Sequence, residues 1–264
     1  MVTNCHFEHI QTSPSTSTDL LSRWRNKALT GPVSLLADIQ TAGRGRRGRN
    51  WLSSPENSLT FSIAYPFNRA GGIAQLSGLS LMCGLAVIYG ISEYFQISLK
   101  VLKGKGLGLK WPNDILINQA KLAGILVEGG QATPNDPTWM IVGVGINLSG
   151  QSAEETNSGY AVANMSDLFS SQQPIDREKL WKAISNSLIE QFGLLNESGF
   201  SVFKDDWNEW NAFKNQQVNL SQDGQVMSTG KFIGINDDGA LLIEADTQIK
   251  TVHNGDLSLR LSND

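Results

Sequence analysis

Between two apolar runs, residues 33–39 and 59–65, the chain carries Gly43-Arg44-Gly45-Arg46-Arg47-Gly48-Arg49, four guanidinium groups and three glycines in seven residues. No core can hold that charge density, because each buried guanidinium would need its own partner. The fold must lift this segment out between two strands. Glycine lets a backbone approach an anion and offer its amides, and arginine presents a planar fork that matches carboxylate or phosphate oxygens. The segment reads as a loop built to close on anions. Taken alone, it fits a solvated basic loop or a nucleic-acid contact equally well.

The rest of the chain gives no support to a general polyanion binder: the formal net charge is -4 and 17% of residues are charged. With 264 residues and 40% apolar content, the length suits one large domain and a small one. Cys5 and Cys83 make no disulfide framework, and no signal-peptide pattern opens the sequence, so a reducing cytoplasm is the expected location. Residues 73–91 are apolar enough to suggest a membrane span, but Gln75, Ser77 and Ser80 interrupt them and no basic anchors flank them. A buried core helix is expected there, and no membrane association.

Strands and helices alternate through most of the chain. Residues 6–10 read as a short strand, followed by a helix carrying Leu20, Leu21, Trp24 and Ala28, with Ser15 or Ser17 as its cap. Residues 33–39 read as a buried strand, and 59–65 alternate apolar and polar as a half-buried one. Further strands are expected at 115–117, 122–127 and 140–146, and Asp176 caps a helix carrying Leu180, Ile184, Leu188 and Phe192. Residues 104–108, with three glycines, read as a flexible excursion.

After Phe213 the texture changes to short apolar runs separated by Asp223-Gly224, Asp238-Gly239 and Asn254-Gly255, dipeptides suited to tight hairpin turns. A small antiparallel barrel is expected. Phe203, Trp207 and Trp210, near helical spacing, would pack between the two units, giving domains at 1–212 and 213–264.

Two further segments carry polar groups beside apolar strand residues. In Lys110-Trp111-Pro112-Asn113-Asp114, the Asp114 carboxylate can hold a magnesium ion that bridges phosphates, and Asn113 can bond a phosphate oxygen. Lys121, opening Lys121-Leu122-Ala123-Gly124-Ile125-Leu126, can neutralise charge developing at an α-phosphate. A plain hairpin turn with an exposed lysine accounts for these residues as well. In Gly143-Val144-Gly145-Ile146-Asn147, the glycines permit close approach to one face and Asn147 can reach a purine or phosphate edge, or the strand simply packs tightly on a helix.

Together and in this order, the three segments resemble the biotin–protein ligase family: Gln40, the Gly/Arg loop and Trp51, then Lys-Trp-Pro-Asn-Asp, Lys-Leu-Ala-Gly-Ile-Leu-Val-Glu and the Gly-Ile-Asn ending. The similarity extends over nearly the whole chain. It implies an α+β fold, a mixed β-sheet flanked by helices (a biotin/lipoate ligase catalytic core) followed by a small SH3-like β-barrel. It also implies that biotin and ATP are substrates, magnesium assists, and a biotin carboxyl carrier protein domain is the partner. Ser15, Thr16, Ser17 and Gln40 would meet the ureido head, Arg44, Gly45 and Arg46 would close over the carboxylate, and Trp51 and Gly124 would shape the walls. Arg47, Arg49, Lys110, Asn113, Asp114 and Asn147 fall to the ATP side, with Asp114 on the metal, Tyr160 on adenine, and Arg46 and Lys121 catalytic. Ser17 departs from the resemblance, because the family usually carries asparagine there.

The chemistry that resemblance implies needs no covalent enzyme intermediate, which agrees with the lack of a Ser-His-Asp or Cys-His arrangement. Lys250 and Arg260 would help recruit ATP or carrier. Two rivals remain: a lipoate or octanoate ligase, and a nucleic-acid-binding regulator using the basic loop. Some relatives carry a helix-turn-helix before the catalytic core; here the core begins almost at Met1, so no nucleic-acid reader is expected. A weak or ligand-dependent homodimer through sheet edges is compatible with the resemblance. His6, Glu8 and His9 beside Cys5 are read as an ordinary strand rather than a zinc site.

Overall fold

The computed structural model describes residues 4–150, 161–169, 174–222, 224–246, 248–253 and 257–262. Seven strands form one sheet: β1 (His6–Ser13), β2 (Val33–Gln40), β3 (Ser58–Phe67), β4 (Leu107–Lys110), β5 (Asp114–Ile117), β6 (Ala120–Gly130) and β7 (Thr138–Asn147). Their spatial order is β1-β2-β3-β7-β6-β5-β4, parallel only between β1 and β2. The sheet is therefore mixed. Its parallel pair is linked by the crossover helix α1 (Thr16–Arg25), as a parallel connection requires.

Alternation along the strands sorts the two faces. Leu35, Ala64 and Ile141 pack with Leu20 and Leu21 of α1, while Leu36, Ile63, Tyr65 and Val142 join the larger core. That larger core lies under α2 (Leu79–Phe95) and α4 (Arg177–Ser198), with Met82, Leu85, Ile184, Leu188 and Phe192 fully buried. Asp176 caps α4 by accepting from the Lys179 amide at 3.0 Å, a contact contributing about 1 kcal/mol. Ser15, not Ser17, is the N-cap of α1.

One short helix covers its face only in part. Beyond α1 that face carries Thr60, Ser62, Gly124, Gly143 and Gly145, side chains too small to fill the space, and a cavity opens there. The sequence expectation for residues 59–65 is corrected accordingly: β3 is buried on both faces, since its polar side lies under α1 and the loop rather than in water.

The apolar run at residues 73–91 becomes a single turn, Gly72–Leu76, and then the buried helix α2; among the described residues no helix is long and apolar enough to cross a membrane. Residues 104–108 are not a flexible excursion. They end α3 (Leu99–Gly104) and begin the buried edge strand β4, where a Cβ on Gly108 would stand 3.1 Å from Ala212 Cβ, a tight contact.

After α5 (Lys204–Trp210) come β8 (Gln217–Gln222), β9 (Gln225–Ile235), β10 (Leu241–Ala245), β11 (Gln248–Val252) and β12 (Ser258–Leu261). They form one antiparallel sheet, ordered β11-β10-β9-β8-β12. Among the described residues β11 and β12 do not pair, so the expected closure into a barrel is replaced by an open five-stranded sheet. Closure would need those two edges to meet, which turn spacing does not dictate. Gly239 turns β9 into β10 with φ of 76°, while Asp223, Asn254 and Gly255 lie outside the described residues. Phe203, Trp207 and Trp210 are buried, and Trp207 faces Phe232 of the second sheet with ring centroids 6.3 Å apart.

Candidate active site

The loop between β2 and β3 folds back as a small hairpin. Gly45 N donates to Arg49 O at 2.7 Å and Trp51 N to Gly43 O at 2.9 Å, around a single helical turn, Arg46–Gly48. Gly43 is demanded by that closeness, since a Cβ there would stand 2.3 Å from Trp51 O. The loop overhangs the open part of the α1 face and encloses a cavity of about 480 Å³. Arg44, Gly45, Arg46, Arg47 and Arg49 all line it, Arg46 half-buried and Arg44, Arg47 and Arg49 exposed at its rim.

One end of the cavity is neutral. Ser15, Thr16 and Ser17 come from the start of α1, Gln40 from the end of β2. Gln40 Oε1 accepts from Thr16 N at 2.8 Å and from Thr16 Oγ1 at 3.1 Å. Ser62 of β3, which the sequence reading did not single out, lies 2.7 Å from Thr16 Oγ1 and 2.9 Å from Ser17 Oγ. Its place in an apparently half-exposed strand concealed it. The signal was present, since two hydroxyl residues, Thr60 and Ser62, alternate within an otherwise apolar strand.

The other end is charged. Lys121 Nζ lies 2.7 Å from Asp114 Oδ1, and Lys110 Nζ lies 3.9 Å from Asp114 Oδ2. Burial alone would raise the Asp114 pKa; the Lys121 and Lys110 charges outweigh it and hold the carboxyl below its ordinary value. Arg46 Nη1 donates to Asn113 Oδ1 at 3.2 Å, and Asn113 Nδ2 donates to Ile125 O at 2.8 Å. Asn147 Nδ2 donates to Lys121 O and Ala163 O, at 3.1 and 3.3 Å, so its amide nitrogen is committed to backbone and only Oδ1 remains for a ligand.

Trp51 lies between the two ends. Its ring covers Gly145, where a Cβ would fall 2.3 Å from Cε2, and comes close to Gly124; its Nε1 is buried without a protein partner. Lys121 Nζ sits 5.6 Å from the same ring. Among the described residues, every one assigned from sequence to biotin, ATP, metal or catalysis therefore lines one cavity. Tyr160 lies outside the described residues. Lys250 and Arg260 do not line the cavity, whereas Leu257, Ser258 and Leu259 of the C-terminal unit do.

Asp114 is the one carboxylate among the lining residues and is already shared by two ammonium groups. Among the described residues no three His, Cys, Asp or Glu side chains converge. Asp114 alone would hold a magnesium ion only together with nucleotide phosphates. Near the N-terminus, Glu8 pairs with Arg23 at 2.7 Å and His9 with Asp38 at 2.9 Å.

A neutral end, a cationic end and a basic loop over both suit a small molecule whose carboxylate meets a nucleotide phosphate. The comparisons agree with that geometry. Residues 9–147 match the Biotin/lipoate A/B protein ligase family, and residues 214–260 match the Biotin protein ligase C terminal domain. The "Bifunctional ligase/repressor BirA" of Escherichia coli is 32% identical over 85% of this chain, which spans 65% of that protein's length. The "Biotin--[acetyl-CoA-carboxylase] ligase" of Paracoccus denitrificans is 30% identical, covering 81% of this chain and 85% of that one. Among solved structures, the biotin protein ligase from Aquifex aeolicus in complex with biotin and ATP superposes with a TM-score of 0.77 at 28% identity, over 97% of this chain and 99% of that chain. On the family match and the aligned length, the chain belongs to the biotin/lipoate A/B protein ligase family.

Proposed function

We propose that the chain is an ATP-dependent biotin–protein ligase. The observation that carries this reading is the single cavity, neutral at the Ser17 and Gln40 end and cationic at the Lys121 end, roofed by the arginine loop. The name of the Paracoccus relative and the biotin and ATP held by the Aquifex protein support the choice of substrates.

The reaction follows from the difficulty of acylating an amine with a carboxylate at neutral pH. A biotin carboxylate oxygen attacks the α-phosphorus of ATP, the bond to the β-phosphate oxygen breaks, and pyrophosphate leaves. Lys121 and Arg46 offset charge gathering on the phosphoryl oxygens, which is the largest service an enzyme renders such a step. Asp114, 2.7 Å from Lys121 Nζ, holds that side chain in position. The amine of a carrier lysine then attacks the mixed anhydride, loses a proton, and AMP departs. Because such anhydrides hydrolyse, a loop that orders over them and excludes water protects the intermediate.

The same reading places the catalytic unit at 1–212 and the accessory unit at 213–264, with a biotin carboxyl carrier protein domain as partner. It takes the enzyme to be cytoplasmic, without a nucleic-acid role, and capable of a weak or ligand-dependent homodimer.

Mass spectrometry of a carrier domain after incubation with biotin, ATP and magnesium tests the reading. One biotinyl group on one lysine is the expected result, and an unmodified carrier with intact enzyme refutes it. Biotin-dependent against lipoate-dependent exchange of pyrophosphate into ATP separates the lipoate alternative, which requires the lipoate rate to be the larger.

A further inference from the structure

The neutral end of the cavity carries more information than a set of hydroxyls, because the direction of each hydrogen bond can be worked out. Thr16 N is a donor, so the Gln40 atom it meets at 2.8 Å is the oxygen, and Gln40 Nε2 is left as a donor. Thr16 Oγ1 lies 3.1 Å from that same oxygen and spends its only proton there. It must then accept from Ser62, 2.7 Å away. Ser62, its proton spent on Thr16, must accept from Ser17 at 2.9 Å. The chain therefore runs one way, Ser17 to Ser62 to Thr16 to Gln40.

All three hydroxyl residues are buried, at 2%, 5% and 0% exposure for Thr16, Ser17 and Ser62, so water is poorly placed to reverse the order. Packing holds it as well: a Cβ on Gly143 would stand 2.5 Å from Ser17 Oγ, so this hydroxyl lies against bare backbone. Ser17 thus faces the cavity as an acceptor with its proton already committed. Serine alone would be ambiguous there, since a free hydroxyl turns to donate or accept as its neighbour asks.

We propose that Ser62 is a positioning residue that sets the polarity of this wall, fixing Ser17 as an acceptor so that the site selects a head group offering an N–H at that point. This rests on the biotin reading, where the ureido ring supplies two N–H donors and one carbonyl; Gln40 Nε2 is the matching donor on the same wall. Ser62 also borders the cavity, but its hydroxyl is engaged by Thr16 and Ser17. Its effect is on recognition, not on the chemical step.

The test compares biotin with the two cyclic carbamate analogues in which oxygen replaces one or the other ureido N–H, using calorimetry without ATP. The wild type should bind the poorer analogue at least about 10-fold more weakly than biotin, the cost of setting lone pair against lone pair in a buried site. In Ser62→Ala, Ser17 is free to turn its proton outward, so biotin weakens by about 10-fold and the gap between biotin and that analogue closes to within about 3-fold. KM for ATP at saturating biotin should stay near the wild-type value, which general damage to the fold would not allow. An equal gap in both proteins overturns the proposal. If Ser62→Ala does not fold, Ser17→Ala removes the acceptor itself, and a gap that survives this change overturns the proposal equally. A wild type that catalyses no biotin-dependent pyrophosphate exchange would instead sink the biotin reading, so the two failures are distinguishable.

Discussion

The two ends of the cavity are built on different principles. At the Ser17 end Thr16, Ser17, Gln40 and Ser62 are neutral, sit on a helix or a strand, and are tied to one another within 3.1 Å. At the Lys121 end the groups are charged, with two ammoniums sharing one carboxylate at 2.7 and 3.9 Å, and Arg46 reaches in from the loop. The neutral end suits a part of the ligand that does not change during reaction, where orientation is the whole task. The charged end suits the place where charge accumulates. Two cations on one anion leave a net positive centre, poised for phosphate, and Asp114 keeps the lysines from repelling each other before a nucleotide arrives.

The largest break in this comparison is Lys121→Ala. With that ammonium gone, Arg46 is left to offset the phosphoryl charge, and kcat/KM for biotin-dependent pyrophosphate exchange should fall on the order of 10²–10³-fold. A rate within threefold of wild type would remove Lys121 from the chemistry. Asp114→Asn acts on the same centre through stability. It removes the carboxylate that Lys121 and Lys110 share, and denaturant unfolding should show a loss of about 3 kcal/mol.

The sign of the pH effect at Asp114 follows from its depressed pKa. The unfolded carboxyl titrates near 3.8, the folded one lower, so the carboxylate's contribution is fully present above the unfolded value and disappears as pH falls through the folded one. Wild-type stability should therefore drop below about pH 4 more steeply than that of Asp114→Asn, in which this group no longer titrates. Parallel curves would mean the ion pair contributes nothing.

Much of the site was legible because its signals are local. A Gly/Arg cluster cannot be core, glycines on alternate positions of β7 leave one face bare, and Lys110-Trp111-Pro112-Asn113-Asp114 announces itself as a turn; all of these segments line the cavity. What escaped depends on distant partners. Alternation along β3 tells which side is polar but not whether water reaches it, and α1 and the loop, which cover Ser62, come from elsewhere in the chain. The glycines at 104–108 looked like slack because nothing local reveals that Ala212 packs against Gly108. The open second sheet has the same cause, since hairpin turns settle which neighbours pair and leave the two outer edges undetermined.

A smaller effect tests how the charged end is held from behind. Trp111, buried in the turn between β4 and β5, donates its Nε1 hydrogen to Gly239 O of the second sheet at 3.1 Å, while Ser80 Oγ donates to Pro112 O at 3.0 Å. Trp111→Phe keeps most of the ring and removes the donor, leaving a buried carbonyl unpaired. The expected loss is about 1–2 kcal/mol in unfolding free energy. KM for ATP should rise more than KM for biotin, because the turn carries Asn113 and Asp114 and none of the neutral end. Equal rises in both would show that the turn does not distinguish the two ends.

The smallest effect concerns the loop that roofs both. Arg44 Nη2 meets Glu128 Oε1 at 2.6 Å and Arg44 Nη1 donates to Thr18 Oγ1 at 3.3 Å, tying the loop to β6 and α1. Arg44 is 43% exposed, so solvent screens the pair and it contributes at most about 1 kcal/mol. Glu128→Gln should raise the rate of tryptic cleavage within residues 43–49 of the ligand-free enzyme by no more than about fivefold. At 0.5 M salt, where the screening length falls to only a few ångströms, the wild type should approach the variant. If Glu128→Gln and salt both leave the cleavage rate unchanged, the loop is held by its own hairpin bonds, Gly45 N to Arg49 O and Trp51 N to Gly43 O, and Arg44 does not give up a stabilising ion pair when it turns to a ligand.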